Sequence, residues 1–294
     1  MRMKRTIKLK IKDEKDFERA YKKFKRANLM SDNKFRQIAK VKEAIQEILR
    51  VLLNDKKLKV IEAKGQRDYS EAIFHGVVLD CEAKLGTGEI VNIEIQNLFT
   101  DDPFWRNSYI QSILRVENAP KQAVFRSQEQ RRIISIMFCA KDVIGSGEAF
   151  SQLVLIDKKS KKIIDNGIDQ YYIYVLGKTE DEKLKELLKM FVDTDYTNSD
   201  MFPNLSRAKV NANNLEKGEY MLLYGDDLRT YEKGQKEGIK IGEARGEARG
   251  EARGEKNILK KIVKMIEDGR LTEDEACNLY GISKRKLEGV MALA

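Results

Sequence analysis

Asp80 closes the run VVLD and Glu94 interrupts IVNIEIQ, two segments otherwise built from strand-forming aliphatics. Burying an unpaired carboxylate is costly, so acids in such settings need hydrogen bonds or a cation. A hard divalent ion held by oxygen ligands meets that need. Bound there, it activates water and offsets charge on a phosphate under attack, which is a hydrolytic chemistry. The competing structural reading makes Asp80 a buried, hydrogen-bonded acid and Glu82 an exposed edge charge. Other chemistries find less support. His75 is the only histidine, which excludes a His-based triad or a His-rich metal site and leaves His75 as a packing or surface residue. GSGEAF at 145–150 lacks the spacing of a phosphate-binding loop, and no dinucleotide fingerprint occurs. Cys81, Cys139 and Cys277 are scattered without metal-site spacing.

The elements that must position the two acids follow from periodicity. Residues 72–84 and 90–96 read as strands joined by a turn at Gly86-Thr87-Gly88. Alternation puts Asp80 on a face with Glu82, and Glu94 on a face with Gln96. A helix is expected over 104–116, with Phe104 and Trp105 in its core-facing part and base stacking as the lesser reading for both. Upstream, 5–11 reads as a strand, Asp16 to Ala27 as a helix, 31–53 as one long amphipathic helix, and 58–63 as a strand. Downstream come a buried strand at 133–139, weaker strands at 152–157 and 171–176, and a helix at 181–192. Residues 193–230 are poorly patterned. This order predicts a mixed α/β fold.

GVVLDCEAKLGTGEIVNIEIQ resembles the core motif of PD-(D/E)XK nuclease-fold transposases, the recombination-promoting nuclease group. Those proteins show an Asp ending one strand, a Gly-containing hairpin, then a strand with Glu-x-Gln or Glu-x-Lys. The helix that follows often carries Arg and Tyr, matched by Arg106 and Tyr109 on one helix face. The resemblance covers about residues 30–195, with the tail similar in character. It implies a restriction-endonuclease-like mixed sheet flanked by helices, with a C-terminal helical tail. It also implies Mg²⁺ or Mn²⁺ on Asp80 and Glu94, Gln96 in the catalytic lysine's place, an accessory acid from Glu43 or Glu47, and hydrolysis of DNA phosphodiesters. Two departures stand out: Leu79 precedes Asp80 where the pattern has Pro, and Gln96 carries no charge. Lys84 shares Asp80's face roughly 13 Å along the strand, and Arg106 is the other candidate to supply the missing cation. The implied activity is a DNA endonuclease linked to transposition or recombination. The alternative is a catalytically impaired nuclease-fold protein that binds DNA or self-assembles.

The 294 residues carry a net charge of +9, unevenly spread: residues 1–64 hold 21 Lys+Arg against 9 Asp+Glu. A basic end suits a polyanion such as DNA; the plainer reading is a solvated helical face. No run approaches a membrane span, no secretory signal is present, and a reducing cytoplasm is expected. Four regions are expected: a basic segment over 1–30, the nuclease-like domain over 31–230, a Gly-rich connector over 231–256 and a helix-turn-helix-like tail over 257–294. In the connector, glycine recurs every fourth residue from Gly234 to Gly254. One reading packs two such helices along their glycine stripes to form a homo-oligomer; the other is a flexible linker. In the tail, Thr272 and Glu275 form a capping box, Gly281 a turn, and Ile282 and Leu287 a core. Lys284, Arg285 and Lys286 would lead a DNA-contacting helix, but 7 Lys+Arg against 6 Asp+Glu over 257–294 favour an assembly bundle equally.

Overall fold

The computed structural model describes residues 14–68, 78–97, 102–119 and 131–291. The strand expected at 5–11, His75 and the first half of the strand expected at 72–84 lie outside them. The chain forms two compact units, Met1–Tyr224 and Gly225–Ala294.

The first unit is built on a six-stranded mixed sheet. Helices α1 (Glu14–Arg26), α2 (Asp32–Ala39) and α3 (Lys42–Leu52) precede strands β1 (Val60–Asp68), β2 (Val78–Leu85) and β3 (Ile90–Gln96). Helix α4 (Pro103–Asn118) leads to β4 (Ile133–Cys139), β5 (Phe150–Leu153) and β6 (Ile168–Tyr174), followed by α5 (Glu182–Val192) and α6 (Pro203–Asn213). The strand order is β1-β2-β3-β4-β6-β5. β1, β2 and β3 pair antiparallel, β3, β4 and β6 pair parallel, and β5 returns antiparallel at the edge. The β2–β3 turn closes through Gly88 N–H to the Leu85 carbonyl, with Gly88 at φ 103°, a conformation open to glycine.

Helices cover both faces. α2, α3, α5 and α6 pack on one side against Cys81, Ala83, Val91, Ile93, Ile95, Ile136 and Phe138. Phe138 and Phe191 stack there with centroids 4.2 Å apart. α4 covers the other side, where Ile110, Ile113 and Leu114 meet Leu79, Ile90 and Ile133. Each such side chain contributes roughly 1.5–3 kcal/mol by leaving water. The centre of the α4 side is polar. The Ser135 hydroxyl donates to Asn107, which donates in turn to the Tyr172 hydroxyl at 3.0 Å.

Two features differ from the sequence expectation, and a third falls to the helical one of its two readings. The single helix expected over 31–53 is two, broken at Lys40–Val41, where Val41 is extended; no Gly or Pro marks the break. α6 arises in the poorly patterned stretch because its buried face includes Ser206 and Lys209 alongside Leu205, Ala208 and Ala212, which hides the period. The glycine repeat is helical, inside α7 (Lys217–Glu267). Glu, Ala and Arg between the glycines are good helix formers. Packed faces also hold the helix beyond the repeat on both sides: Tyr220 and Leu223 against Phe17 and Phe24 in the first unit, Ile262 and Val263 in the second.

The second unit adds α8 (Glu273–Tyr280) and α9 (Lys284–Met291). The Thr272–Glu275 capping box forms, and Gly281 adopts the left-handed conformation. Ala276, Leu287 and Ile282 pack with Ile262 and Val263. Among the described residues no helix is long and apolar enough to cross a membrane.

Candidate functional site

β2 and β3 are in register from Lys84 opposite Ile90 to Cys81 opposite Ile93. One step further, where Asp80 faces Glu94, the backbone ladder gives way to side chains. The Asp80 N–H donates to the Glu94 carboxylate (Oε1, 3.3 Å), and the Ile95 N–H donates to the Asp80 carboxylate (Oδ2, 2.8 Å). Each acid thus takes a hydrogen bond from the other's strand, and the two carboxylates are brought together where the sheet opens. Leu79 belongs to the α4-side core and Cys81 to the opposite core, so regular alternation fails at Asp80 itself.

Glu94 is 1% exposed and Asp80 is partly buried. Burial is the main force holding the Asp80 carboxyl well above its ordinary range, and the nearby Glu94 charge adds to it. Burial likewise raises Glu94, against the opposing pull of Arg106 and of the Asp80 N–H. Arg106, on the first turns of α4, donates from Nη2 to Glu94 Oε2 at 3.2 Å. Its side chain is 30% exposed, and its Nε is buried with no partner among the described residues. Asp102 caps α4 by accepting from the N–H groups of Phe104 and Trp105, with Pro103 behind it, and so fixes the turn that carries Arg106.

The other expected site residues separate. Gln96 is at the end of β3, two residues beyond Glu94 on the α4 side, beside Cys139. Tyr109 packs against the α4-side core that contains Leu79. Lys84 sits at the hairpin end of β2 opposite Ile90, roughly 13 Å from Asp80, too far to share its site. Glu47 is fully used elsewhere. It accepts from the N–H groups of Asn204 (3.1 Å) and Leu205 (2.9 Å) and from the Asn204 amide, anchoring the N-terminus of α6. Glu43 is exposed and paired with its neighbour Lys42. In the second unit Lys284 and Arg285 are exposed, with Lys284 3.4 Å from Asp274. Lys286 heads the same helix α9.

Two residues depart from the sequence reading. Asp32, in the first turn of α2, is near enough for its charge to raise Asp80 further. Gly65 on β1 lets the last turn of α2 lie close to the sheet, since a Cβ there would lie 3.2 Å from the Ala39 Cβ. Trp105, expected in the core, is 79% exposed, one residue from Arg106, while Phe104 is 39% exposed and rests on Tyr172 with centroids 5.2 Å apart.

The chain matches no family model, no curated protein and no solved structure. Cys81, beside Asp80, is no nucleophile, since burial above all pushes its thiol far up. Among the described residues no three His, Cys, Asp or Glu side chains are grouped to hold a metal. Asp80 and Glu94 are a pair of hard oxygen donors short of positive charge. That donor set fits Mg²⁺, which is commonly bound through one or two carboxylates and keeps several waters.

Proposed function

We propose that this chain is a metal-dependent DNA endonuclease of the PD-(D/E)XK type, with a restriction-endonuclease-like core, acting in transposition or recombination in the cytoplasm. The observation that carries the reading is the meeting of Asp80 and Glu94 across an opened β2–β3 ladder, each accepting a hydrogen bond from the other's strand. Asp80 and Glu94 would hold Mg²⁺ or Mn²⁺, which supplies activated water and charge neutralisation at phosphorus. The chain's own residues do the rest. The Ile95 and Asp80 N–H groups orient the carboxylates. Arg106 lends its guanidinium to Glu94 through one nitrogen and has donors to spare for a phosphate. In that role it stands in for the cation that Gln96 cannot provide. Trp105 at the rim offers a flat face to a base.

Nicking of supercoiled DNA tests this reading. Cleavage with Mg²⁺ or Mn²⁺, none in EDTA and none with Asp80→Ala supports it. Binding without cutting under every metal condition makes the chain a nuclease-fold binding protein instead. Self-association through the glycine repeat belongs to the same proposal. A full chain and one truncated after Tyr224 that are both monomeric by light scattering would remove it.

A further inference from the structure

Residues 154–166 are exposed without interruption. Within them, 154–164 double back as a narrow hairpin beyond the end of β5. Ile156 bridges Ile163 antiparallel, Asp157 N–H donates to the Lys162 carbonyl at 2.9 Å, and Ile164 N–H donates to the Leu155 carbonyl at 2.9 Å. The hairpin is fixed at both ends. At its tip Asp157 accepts from the Ser160 N–H (2.7 Å) and hydroxyl (2.6 Å), and Lys161 takes the left-handed conformation at φ 58°. At its base Arg132 donates to both oxygens of Asp165 (3.1 and 3.0 Å) and to Asp169, and Arg115 donates to the Asn166 carbonyl at 2.6 Å.

The composition of this arm is unusual for a surface element. Lys158, Lys159, Lys161 and Lys162 crowd the tip against one acid, Asp157, and none of the four has an ion pair among the described residues. Behind them, Val154, Leu155, Ile156, Ile163 and Ile164 are 43–62% exposed. A structure held this firmly at tip and base, with its charge unpaired and its aliphatics in water, is organised for a partner.

We propose that residues 154–164 are a duplex-DNA-binding arm. The four tip lysines contact phosphates, and the stem aliphatics seat against sugars and base edges, as β-ribbons and apolar wedges do in a groove. The choice of DNA rests on the nuclease reading. The order of groups along the arm favours it independently over a lipid surface. Four ammonium groups lead and the aliphatics follow, so acyl chains could be reached only by dehydrating all four lysines first. Two copies meeting tip to tip would repel. The arm springs from the end of β5 and the N-terminal end of β6, whereas Glu94 lies toward the C-terminal end of β3, which runs parallel to β4 and β6, so arm and acids contact a duplex at separate places.

The test is duplex binding by the full chain, followed by fluorescence anisotropy of a labelled duplex across a salt series in EDTA. Four phosphate contacts contribute roughly 3–4 to the slope of log K against log salt. Replacing Lys158, Lys159, Lys161 and Lys162 together with Ala is expected to lower that slope by roughly this amount and to weaken binding at least about 10-fold near 0.1 M salt. Thermal stability should be unchanged, because every altered residue is exposed. Ile156→Ser with Ile163→Ser is expected to weaken binding several-fold and leave the slope alone, because no charge is removed. Wild-type affinity and slope in the lysine variant would overturn the proposal. So would wild-type binding to phosphatidylserine vesicles but not DNA, or a drop in oligomeric mass caused by the isoleucine variant. Cleavage lost in Asp80→Ala alongside unaltered binding by the lysine variant removes the arm and keeps the nuclease. Arm-dependent binding with no metal-dependent cleavage does the reverse.

Discussion

The first unit buries two acids in one place and two lysines in another, and the two places treat buried charge in opposite ways. Lys209 donates to the carbonyls of Met190, Asp193 and Tyr196 at 2.5–2.8 Å. Lys34 donates to Asn213 Oδ1 at 2.7 Å and to the Ala212 carbonyl at 3.3 Å, and its ammonium lies 4.4 Å from the Phe24 ring centroid. Both lysines meet the carbonyl-rich C-terminal ends of α5 and α6, where positive charge is welcome. Asp80 and Glu94 are met by one backbone N–H each, and Glu94 also by Arg106 and the nearby Asn92 amide. Burial pushes all four groups toward their neutral forms. A shifted pKa therefore does not distinguish the two places; the number of partners does. The lysines are saturated and hold helices in place, whereas the acids have few partners for their charge.

Asp80→Asn gives the sharpest test of that contrast. It is expected to lower metal-dependent cleavage on the order of 1000-fold. It should also stabilise the metal-free protein, because it removes a carboxylate whose charged form burial penalises. Cleavage rates and a chemical melt in EDTA read the two effects, and a destabilised variant would mean that Asp80 is structural. Lys209→Met leaves three carbonyls unpaired and is expected to cost about 3 kcal/mol. A urea titration measures it, and a cost below that of an ordinary surface change would break the comparison. Glu47→Ala removes the anchor of α6 and is expected to cost about 1–2 kcal/mol. Its cleavage rate per folded molecule should equal wild type; a loss like that of Asp80→Asn would return Glu47 to the active site.

The smallest effect is in pH dependence, and the two regions differ in sign. The lysines have folded values of about 8 against 10.5, so the unfolded chain binds more protons between these values. Stability from this region rises as pH goes from about 8 to 10.5. The acids are raised from 3.8 and 4.5, so the folded chain holds protons longer. Their contribution is present below those ordinary values and is lost as pH rises through the folded ones. Wild type and Asp80→Asn compared across pH 4–9 should diverge toward neutral pH in EDTA. Mg²⁺ should narrow the gap, because it competes with the same protons.

The sequence disclosed the acid pair because Asp80 and Glu94 interrupt apolar strands, and the turn between them fixed their register. It disclosed the Thr272 capping box for the same reason of local spacing. What escaped it depended on distant packing. Glu47 and Glu43 share a helix and look alike in sequence, and only the approach of α6 separates them. Lys209 hid α6 by putting a charge on its buried face. Leu155, Ile156, Ile163 and Ile164 have strand-core composition, and nothing local says they stand in water. Trp105 has the composition of a core residue, though Pro103 and Asp102 set it on the outer face of the first turn of α4.

That position makes Trp105 an optical reporter. It is the chain's one tryptophan. Emission excited at the red edge of protein absorption therefore arises from a single point, next to the arginine that touches Glu94. Ions, nucleotides or strands arriving there announce themselves by a change in colour or intensity, with no dye attached.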